Sequence, residues 1–412
     1  MAKRILVVSQ HYWPENFRVT DLCAGFLEAG AEVDVLCGIP NYPKGEWFAG
    51  YSYTHPRSEV HDGVTLFRCG EIRRKGNTGA RIFLNYVFYP AAAWFSLPRL
   101  HKRRYDAVFC YNTSPVLMMM PAVSLAKRRH IPLTTYVLDL WPENLYSVLP
   151  VKSAFWRRVA AGVSHGLYRK SDRLAAMSPA LAEKLRAVAP GRPVAVVPQY
   201  CEEFYLQPPD AALLAQLKAR FAGRCNVLFA GNFSPAQDLT LLVRLAQKLR
   251  AADRTDIHFV MAGDGMSRAA LEAGIDAAGV RDFFTFEGQR PVTEIPAYQA
   301  MADILFAALA KSDDLGLTVP AKITSYLAAG KPLLVAIDGE GARVVREAGA
   351  GLACGAGDAD ALYDNLLRLA DGGAAMRAAM GARGRAWCEA HYERKALVQK
   401  LLHCILDTPE DD

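Results

Sequence analysis

The feature that most constrains this chain is a repeated alternation. Short runs rich in β-branched and aromatic residues are each followed by a stretch in which apolar residues recur with helical spacing. Such an order buries both kinds of element as a parallel sheet wrapped by helices, an α/β fold. "KRILVVSQ" reads as a strand followed by the loop "HYWPENFR". Val19, Leu22, Cys23, Phe26 and Leu27 then mark one face of a helix that stops at Gly30. "AEVDVLCG", "DAVFCY", "LTTYVLDL" and "VAVVPQY" continue the series. It restarts with "CNVLFAGNF", followed by "DIHFVMAGDG", "FFTFEGQ", "ADILFAAL" and "KPLLVAI". The break near "PQYCEEFYLQPPD" predicts two Rossmann-like domains with parallel sheets, residues 1–198 and 199–390. Residues 391–412 are expected to form a helix and an acidic tail that pack back toward the first domain.

With 412 residues, 51% hydrophobic and 22% charged, the chain has enough apolar material for two ordinary cores. Its nine cysteines form no C-x-x-C or Cys/His pairing, which predicts reduced, buried thiols of a cytosolic protein. The start runs straight into a strand without an apolar signal-peptide core, and no apolar run reaches membrane-spanning length. Charge is unevenly divided. Residues 1–198 carry 26 Lys/Arg against 14 Asp/Glu, and residues 199–412 carry 22 against 28. The basic half predicts an anionic partner, either phospholipid or nucleic acid.

In open α/β sheets, ligands bind beyond the carboxyl ends of the strands, where helix N-termini present N–H groups to anions. Neither half has G-x-G-x-x-G or a Walker A loop, so a dinucleotide cofactor or ATP is disfavoured. The second half places Gly231, Gly263, Gly265, Gly288 and Gly316 at strand ends, where backbone can approach a phosphate or base. "TVPAKITSYLAAGKPLLVA" reads as a short helix from about Thr318 with Pro320 in its first turn, a glycine stop and a buried strand. Lys322 in that first turn is either a diphosphate-neutralising cation or a solvated surface lysine. Asp358 and Asp360 offer a D-x-D pair, but their place before an amphipathic run reads as an N-cap with a first-turn acid. No metal is expected to be required. Asp313 and Asp314 precede Gly316 in a loop and either touch a sugar or are solvated.

"FAGNFSPAQDL", "MAGDGMSRAALE", "FFTFEGQRPVTEIPAYQAMADILF" and "LGLTVPAKITSYLAAGKPLLVA" resemble, in order and spacing, the retaining GT-B glycosyltransferases of family 4. "QHYWPEN", "GIPNYPKG" and "VLDLWPENL" resemble the branch that adds N-acetylated amino sugars such as L-N-acetylfucosamine to surface polysaccharides, including O-antigen. The resemblance implies two facing domains, acceptor on the first and nucleotide sugar on the second, with transfer in the cleft and no cofactor beyond the donor, favoured as a UDP-sugar. It implies that Gly231, Asn232, Phe233 and the loop to Gln237 touch the donor diphosphate, and that Asp264 and Gly265 also bind the donor. Gly288, Gln289 and Arg290 would border the base, and Gly316, Leu317 and Thr318 would lead into the phosphate-facing helix. The family's paired glutamates would fall at Leu317 and Ser325, neither of which is an acid, leaving the ribose to Ser325, Tyr326 or water. Lys322 would then carry the charge of the leaving group.

Asp139, at the end of an apolar strand, is the favoured catalytic or orienting acid, with an N-cap role as its alternative and Glu143 as second choice. His11, Tyr12, Glu15 and Asn16, with Tyr42, would frame the acceptor. Finally, Ile82 to Leu97 is apolar or aromatic apart from Asn85 and Ser96, and basic residues follow it. It reads either as a core helix or as an interfacial one, with Phe83, Phe88 and Trp94 at the headgroup boundary and Lys102, Arg103 and Arg104 on anionic lipid. A polyprenyl-diphosphate-linked or lipopolysaccharide acceptor, met at the cytoplasmic face of an inner membrane, would account for both features. The rival readings are a nucleotide-sugar 2-epimerase on the same fold and a non-enzymatic membrane or nucleic-acid binder. The second lacks RNA-binding signatures, and no nucleic-acid partner is expected.

Overall fold

The computed structural model describes residues 2–54, 57–77, 79–148, 153–312 and 314–406, so that Asp313 and the acidic tail lie outside the described residues. The chain divides into two compact units, Met1–Val197 with Lys395–Asp412, and Pro198–Arg394.

The first unit is built on strands β1 (Arg4–Val8), β2 (Glu32–Gly38), β3 (Ser58–His61), β4 (Val64–Cys69), β5 (Ala107–Asn112), β6 (Leu133–Val137), β7 (Arg173–Ala176) and β8 (Val194–Val196). They lie in the order β3-β4-β2-β1-β5-β6-β7-β8. The central strands are buried along their whole length, as in a sheet covered on both faces. The expected parallel sheet carries one antiparallel edge, where β3 pairs with β4. The reason is the turn between them. Asp62 and Gly63 both adopt positive φ, 45° and 81°, which closes a tight hairpin. The last helix, Arg394–Leu406, returns to this unit, where Thr134 Oγ1 donates to the Cys404 carbonyl at 3.1 Å.

The second unit contains β9 (Cys225–Ala230), β10 (Ile257–Ala262), β11 (Phe284–Gly288), β12 (Ile304–Ala308), β13 (Leu333–Ala336) and β14 (Gly351–Cys354). Their order is β11-β10-β9-β12-β13-β14, and each neighbouring pair is parallel. Alternate residues serve opposite faces. Leu228, Val260, Leu305 and Val335 pack into one core layer, while Phe229, Phe259, Phe306 and Leu334 pack into the other. Strand order reverses between β9 and β12, so the loops after these two strands diverge and leave a crevice beyond their carboxyl ends. The corresponding reversal in the first unit lies between β1 and β5.

Candidate active site

At the β9/β12 reversal, glycines let three loops approach more closely than side chains would permit. Gly231 N donates to the Ala262 carbonyl and Gly263 N to the Gly288 carbonyl, at 2.9 and 2.8 Å. A Cβ on Gly263 would lie 1.9 Å from the Gly231 carbonyl oxygen, and one on Gly265 would lie 2.4 Å from Asn232 Oδ1. Both glycines also hold positive φ, 139° and 155°, so two independent constraints exclude a side chain. Gly316 itself has room for a Cβ, but Gly339 is pressed against its carbonyl, a role that the sequence pattern did not reveal.

The helix expected from about Thr318 begins at Ala321 and runs to Ala328. Thr318 and Pro320 are extended, and Pro320 takes the N-cap position rather than the first turn. Lys322 follows in the first turn, and its Nζ donates to Gln237 Oε1 at 2.8 Å while lying 3.4 Å from the Phe229 ring centroid. Among the described residues it forms no ion pair. Desolvation pulls its pKa well below the ordinary lysine range, and the Phe229 face and the Gln237 carbonyl are what its charged form has in compensation. A desolvated cation beside Gly231 is equipped to meet an anion that supplies the missing countercharge.

Three residues expected to bind donor have buried side chains. Tyr326 is fully buried and its hydroxyl accepts the Ala230 N–H at 3.0 Å, so it fastens the helix to β9 and does not reach a ribose. Ser325 is buried and donates to the Lys322 carbonyl at 3.0 Å. The Phe233 ring is in the core, leaving only its backbone in the loop, where its N–H donates to the Asp264 carbonyl. Asn232 and Gln289 are exposed, and Leu317 and Thr318 are half-buried. The Asp264 carboxylate is spent on Gly265 N and Arg268. Arg290 is turned back onto buried Glu287, which also receives Arg220 and the Tyr298 hydroxyl.

Asp358 is an N-cap, accepting from Ala361 N at 3.0 Å, and Asp360 pairs with Lys248. Among the described residues, no group of three or more His, Cys, Asp or Glu side chains is disposed to hold a metal ion.

The first unit gathers its own polar cluster at the ends of β1, β2 and β4. His11 Nδ1 lies 2.8 Å from Glu15 Oε2, and the other Glu15 oxygen accepts Asn41 N and Tyr42 N at 2.7 and 2.6 Å. Both side chains are buried, His11 stacking on Phe17 with ring centroids 4.6 Å apart. Tyr12 is also buried, contrary to a place lining an acceptor, whereas Asn16 and Tyr42 are exposed. Behind this cluster is a network that no sequence motif announced. Gln10 Nε2 donates to Glu71 Oε1 and Asn85 Oδ1, both at 2.7 Å, and Arg74 Nε donates to Asn85 Oδ1 at 3.0 Å. Burial raises the pKa of Glu71.

Asp139 follows β6 and is half-buried, with Oδ2 accepting the Ser114 hydroxyl at 3.0 Å. Burial raises its pKa, and hydrogen bonds from Ser114 and Asn144 hold part of the shift back. Glu143 Oε2 is buried without a partner among the described residues.

The aromatic helix, Gly79–Ser96, buries some of its side chains and exposes others. Asn85, Tyr86, Tyr89 and Ala93 are buried, while Phe83, Phe88, Trp94 and Phe95 are exposed. Lys102 and Arg104 are exposed, but Arg103 is committed to Asp34 at 2.8 Å. Among the described residues, no helix is long and apolar enough to cross a membrane.

Two α/β units, one with a polar cluster beyond the ends of β1, β2 and β4 and one with a cation at the β9/β12 crevice, have the architecture of the GT-B class. Residues 16–199 match the family described as Glycosyl transferase 4-like domain, and residues 224–372 match Glycosyl transferases group 1. The chain is thus a glycosyltransferase of the GT-B type, with a glycosyl transferase 4-like domain followed by a group 1 domain. It is 27% identical over 307 residues to the GDP-mannose-dependent alpha-(1-6)-phosphatidylinositol monomannoside mannosyltransferase of Mycobacterium tuberculosis, covering 72% of this chain and 74% of that one. It is 22% identical over 281 residues to the 2-deoxystreptamine N-acetyl-D-glucosaminyltransferase of Niallia circulans, covering 66% and 67%. Its fold matches that of Anabaena HepE in complex with UDP, with a TM-score of 0.68 and 14% identity over 98% of this chain and 99% of that one.

Proposed function

We propose that the protein is a retaining, metal-independent glycosyltransferase that moves an N-acetylated amino sugar, of the L-N-acetylfucosamine kind, from a UDP-sugar to a lipid-linked or lipopolysaccharide acceptor. It works as a peripheral protein on the cytoplasmic face of the inner membrane. The observation that carries the reading is the desolvated Lys322 ammonium held by Gln237 beside Gly231. Chemistry of this kind breaks the anomeric carbon–oxygen bond to diphosphate, so negative charge develops on the leaving group. A cation already fixed there stabilises that charge without reorganising during the reaction. The acceptor oxygen forms the new bond on the same face, and its proton passes to a diphosphate oxygen. Asp139, held by Ser114, orients the acceptor hydroxyl or the sugar.

Binding of UDP by HepE supports uridine, and the N-acetyl-D-glucosaminyltransferase relative supports an acetamido sugar. The mannosyltransferase relative supports a lipid acceptor but points to GDP-mannose as the competing donor. A thermal-shift panel of UDP, GDP, ADP, CMP and their sugars decides between them, because a ligand bound by the native state raises the melting temperature. A shift with UDP and UDP-N-acetyl sugars is expected. A shift with GDP-mannose alone replaces the donor assignment, and no shift with any nucleotide overturns the reading.

A further inference from the structure

On the first unit, away from the loops that hold His11 and Asp139, an apolar groove and a basic basin adjoin. The groove, of about 510 Å³, lies among the aromatic helix and the helices Met119–Arg129 and Ala154–Tyr168, lined by Trp94, Met120, Val123 and Val163. Two of its walls are Gly162 and Gly166, one helical turn apart, where an added Cβ would meet nothing within 4 Å. Glycine inside a helix costs about 1 kcal/mol relative to alanine, so two such positions give up helix stability and leave the groove open. The basin, of about 900 Å³, shares Val123 and Lys170 with the groove. Among the described residues it collects Lys127, Arg169, Lys170, Arg173 and Arg192 against one carboxylate, Asp172. Arg169 and Arg173 donate to the backbone carbonyls of Val188 and Cys404, which position their guanidinium groups, and Arg192 lies 3.9 Å from Asp172.

The basin residues precede or begin β6, β7 and β8, at the amino ends of these strands, whereas Asp139 follows β6. The pair of cavities is therefore at the opposite end of the sheet from the candidate acceptor loops. Phe155, Trp156 and Val159 stand exposed on the helix that carries the two glycines. An apolar slot that opens at a shared lysine into a cluster of cations is complementary to one kind of occupant, a chain joined to an anionic headgroup.

We infer that this groove and basin form a binding site for an anionic phospholipid of the bilayer, the acyl chain lying along Gly162 and Gly166 and the phosphate among Lys127, Lys170 and Arg192. The inference rests on the membrane-peripheral reading above and assigns the lipid a holding role separate from the acceptor.

The test is co-sedimentation of the whole protein with vesicles of phosphatidylcholine alone and of phosphatidylcholine mixed with phosphatidylglycerol. Wild type is expected to partition to the anionic vesicles at least about tenfold better. Lys127→Glu/Lys170→Glu reverses two exposed charges whose side chains make no hydrogen bond among the described residues, and it should weaken that partition about thirtyfold or more. Gly162→Leu/Gly166→Leu fills the groove with better helix formers. It should lower anionic-vesicle binding about tenfold while the melting temperature holds or rises. This second variant discriminates, because added leucines strengthen a merely adhesive contact. Unchanged or tighter binding by it overturns the lipid site while leaving membrane association standing. Failure of wild type to bind either vesicle overturns both, and a retained nucleotide-induced melting shift then shows that the glycosyltransferase reading survives. A dimer broken by the leucine variant, without any vesicle binding, assigns the groove to a second copy of the chain instead.

Discussion

Lys322 and Gln237 are 85 positions apart in sequence, yet the lysine Nζ donates to the glutamine Oε1 at 2.8 Å across the β9/β12 crevice. The contact joins the first turn of the helix after β12 to the loop after β9. It places the desolvated Lys322 ammonium beside Gly231. Lys322→Ala is expected to lower turnover about 10²- to 10³-fold, the usual cost of deleting one donor to a developing negative charge. Because the lysine is desolvated without a carboxylate partner among the described residues, the melting temperature should hold. Steady-state rates and a thermal melt check both halves, and unchanged turnover removes Lys322 from the mechanism.

The same environment predicts a proton signature. Without a ligand, the ammonium is held well below its ordinary pKa, and a bound diphosphate restores the charged form. Between the two values, nucleotide binding therefore takes up a proton, and affinity falls as pH rises through that window. The folded protein also binds fewer protons here than the unfolded chain, so its stability rises with pH from the depressed value toward the ordinary one. Titration calorimetry of nucleotide binding in two buffers of different ionisation enthalpy should show uptake in wild type and none in Lys322→Met. The variant should also have a flatter stability profile.

Backbone proximity at the site has its own test. Gly263→Ala puts a methyl group 1.9 Å from the Gly231 carbonyl oxygen and forces a side chain onto φ 139°. Loss of about 3 kcal/mol or more is expected in a urea titration, together with loss of the nucleotide-induced melting shift. Gly288→Ala is the control. Its φ is 69° but no atom lies within 4 Å of the added carbon, so only the backbone penalty of about 1 kcal/mol applies.

Glu15 is a structural prediction in a loop that the sequence offered as acceptor-binding. Its carboxylate takes two backbone N–H groups from Asn41 and Tyr42 as well as His11. Glu15→Gln places an amide donor against one of these donors and should cost about 3 kcal/mol, seen as a shifted urea midpoint. A midpoint within experimental scatter of wild type would show that the loop does not depend on this acid.

What the sequence disclosed follows from the range of each interaction. The alternation of strand and helix is local, so β9 through β13 and their glycines could be read in order. Lys322 could be singled out because its value depends on a helix end. The "DG" at Asp62 and Gly63 carried the signal for the antiparallel hairpin, but it sat among residues without strand alternation. Tyr326 and Ser325 misled because a polar residue on a short helix next to a site can equally face the core. Only the Ala230 N–H opposite one and the Lys322 carbonyl beneath the other settle which way they point. The Gln10–Glu71–Asn85–Arg74 network joins residues from separate elements, and no spacing within the chain encodes it.

Asp139 supplies the last test. Burial raises its pKa, while Ser114 and Asn144 favour its ionised form by donating hydrogen bonds to it. If ionised Asp139 orients the acceptor or sugar, activity is lost as pH falls through this raised value. Removing one stabilising donor, as in Ser114→Ala, must raise the pKa further and move the acid limb of the pH–rate profile upward. Rates well above that limb should stay near wild type, although the variant also deprives Trp141 Nε1–H of its acceptor and should lose about 1 kcal/mol of stability. Asp139→Asn should abolish the limb altogether and lower the plateau about 10²-fold. An acid limb that stays in place in Ser114→Ala would assign it to another group and return Asp139 to a loop-holding role.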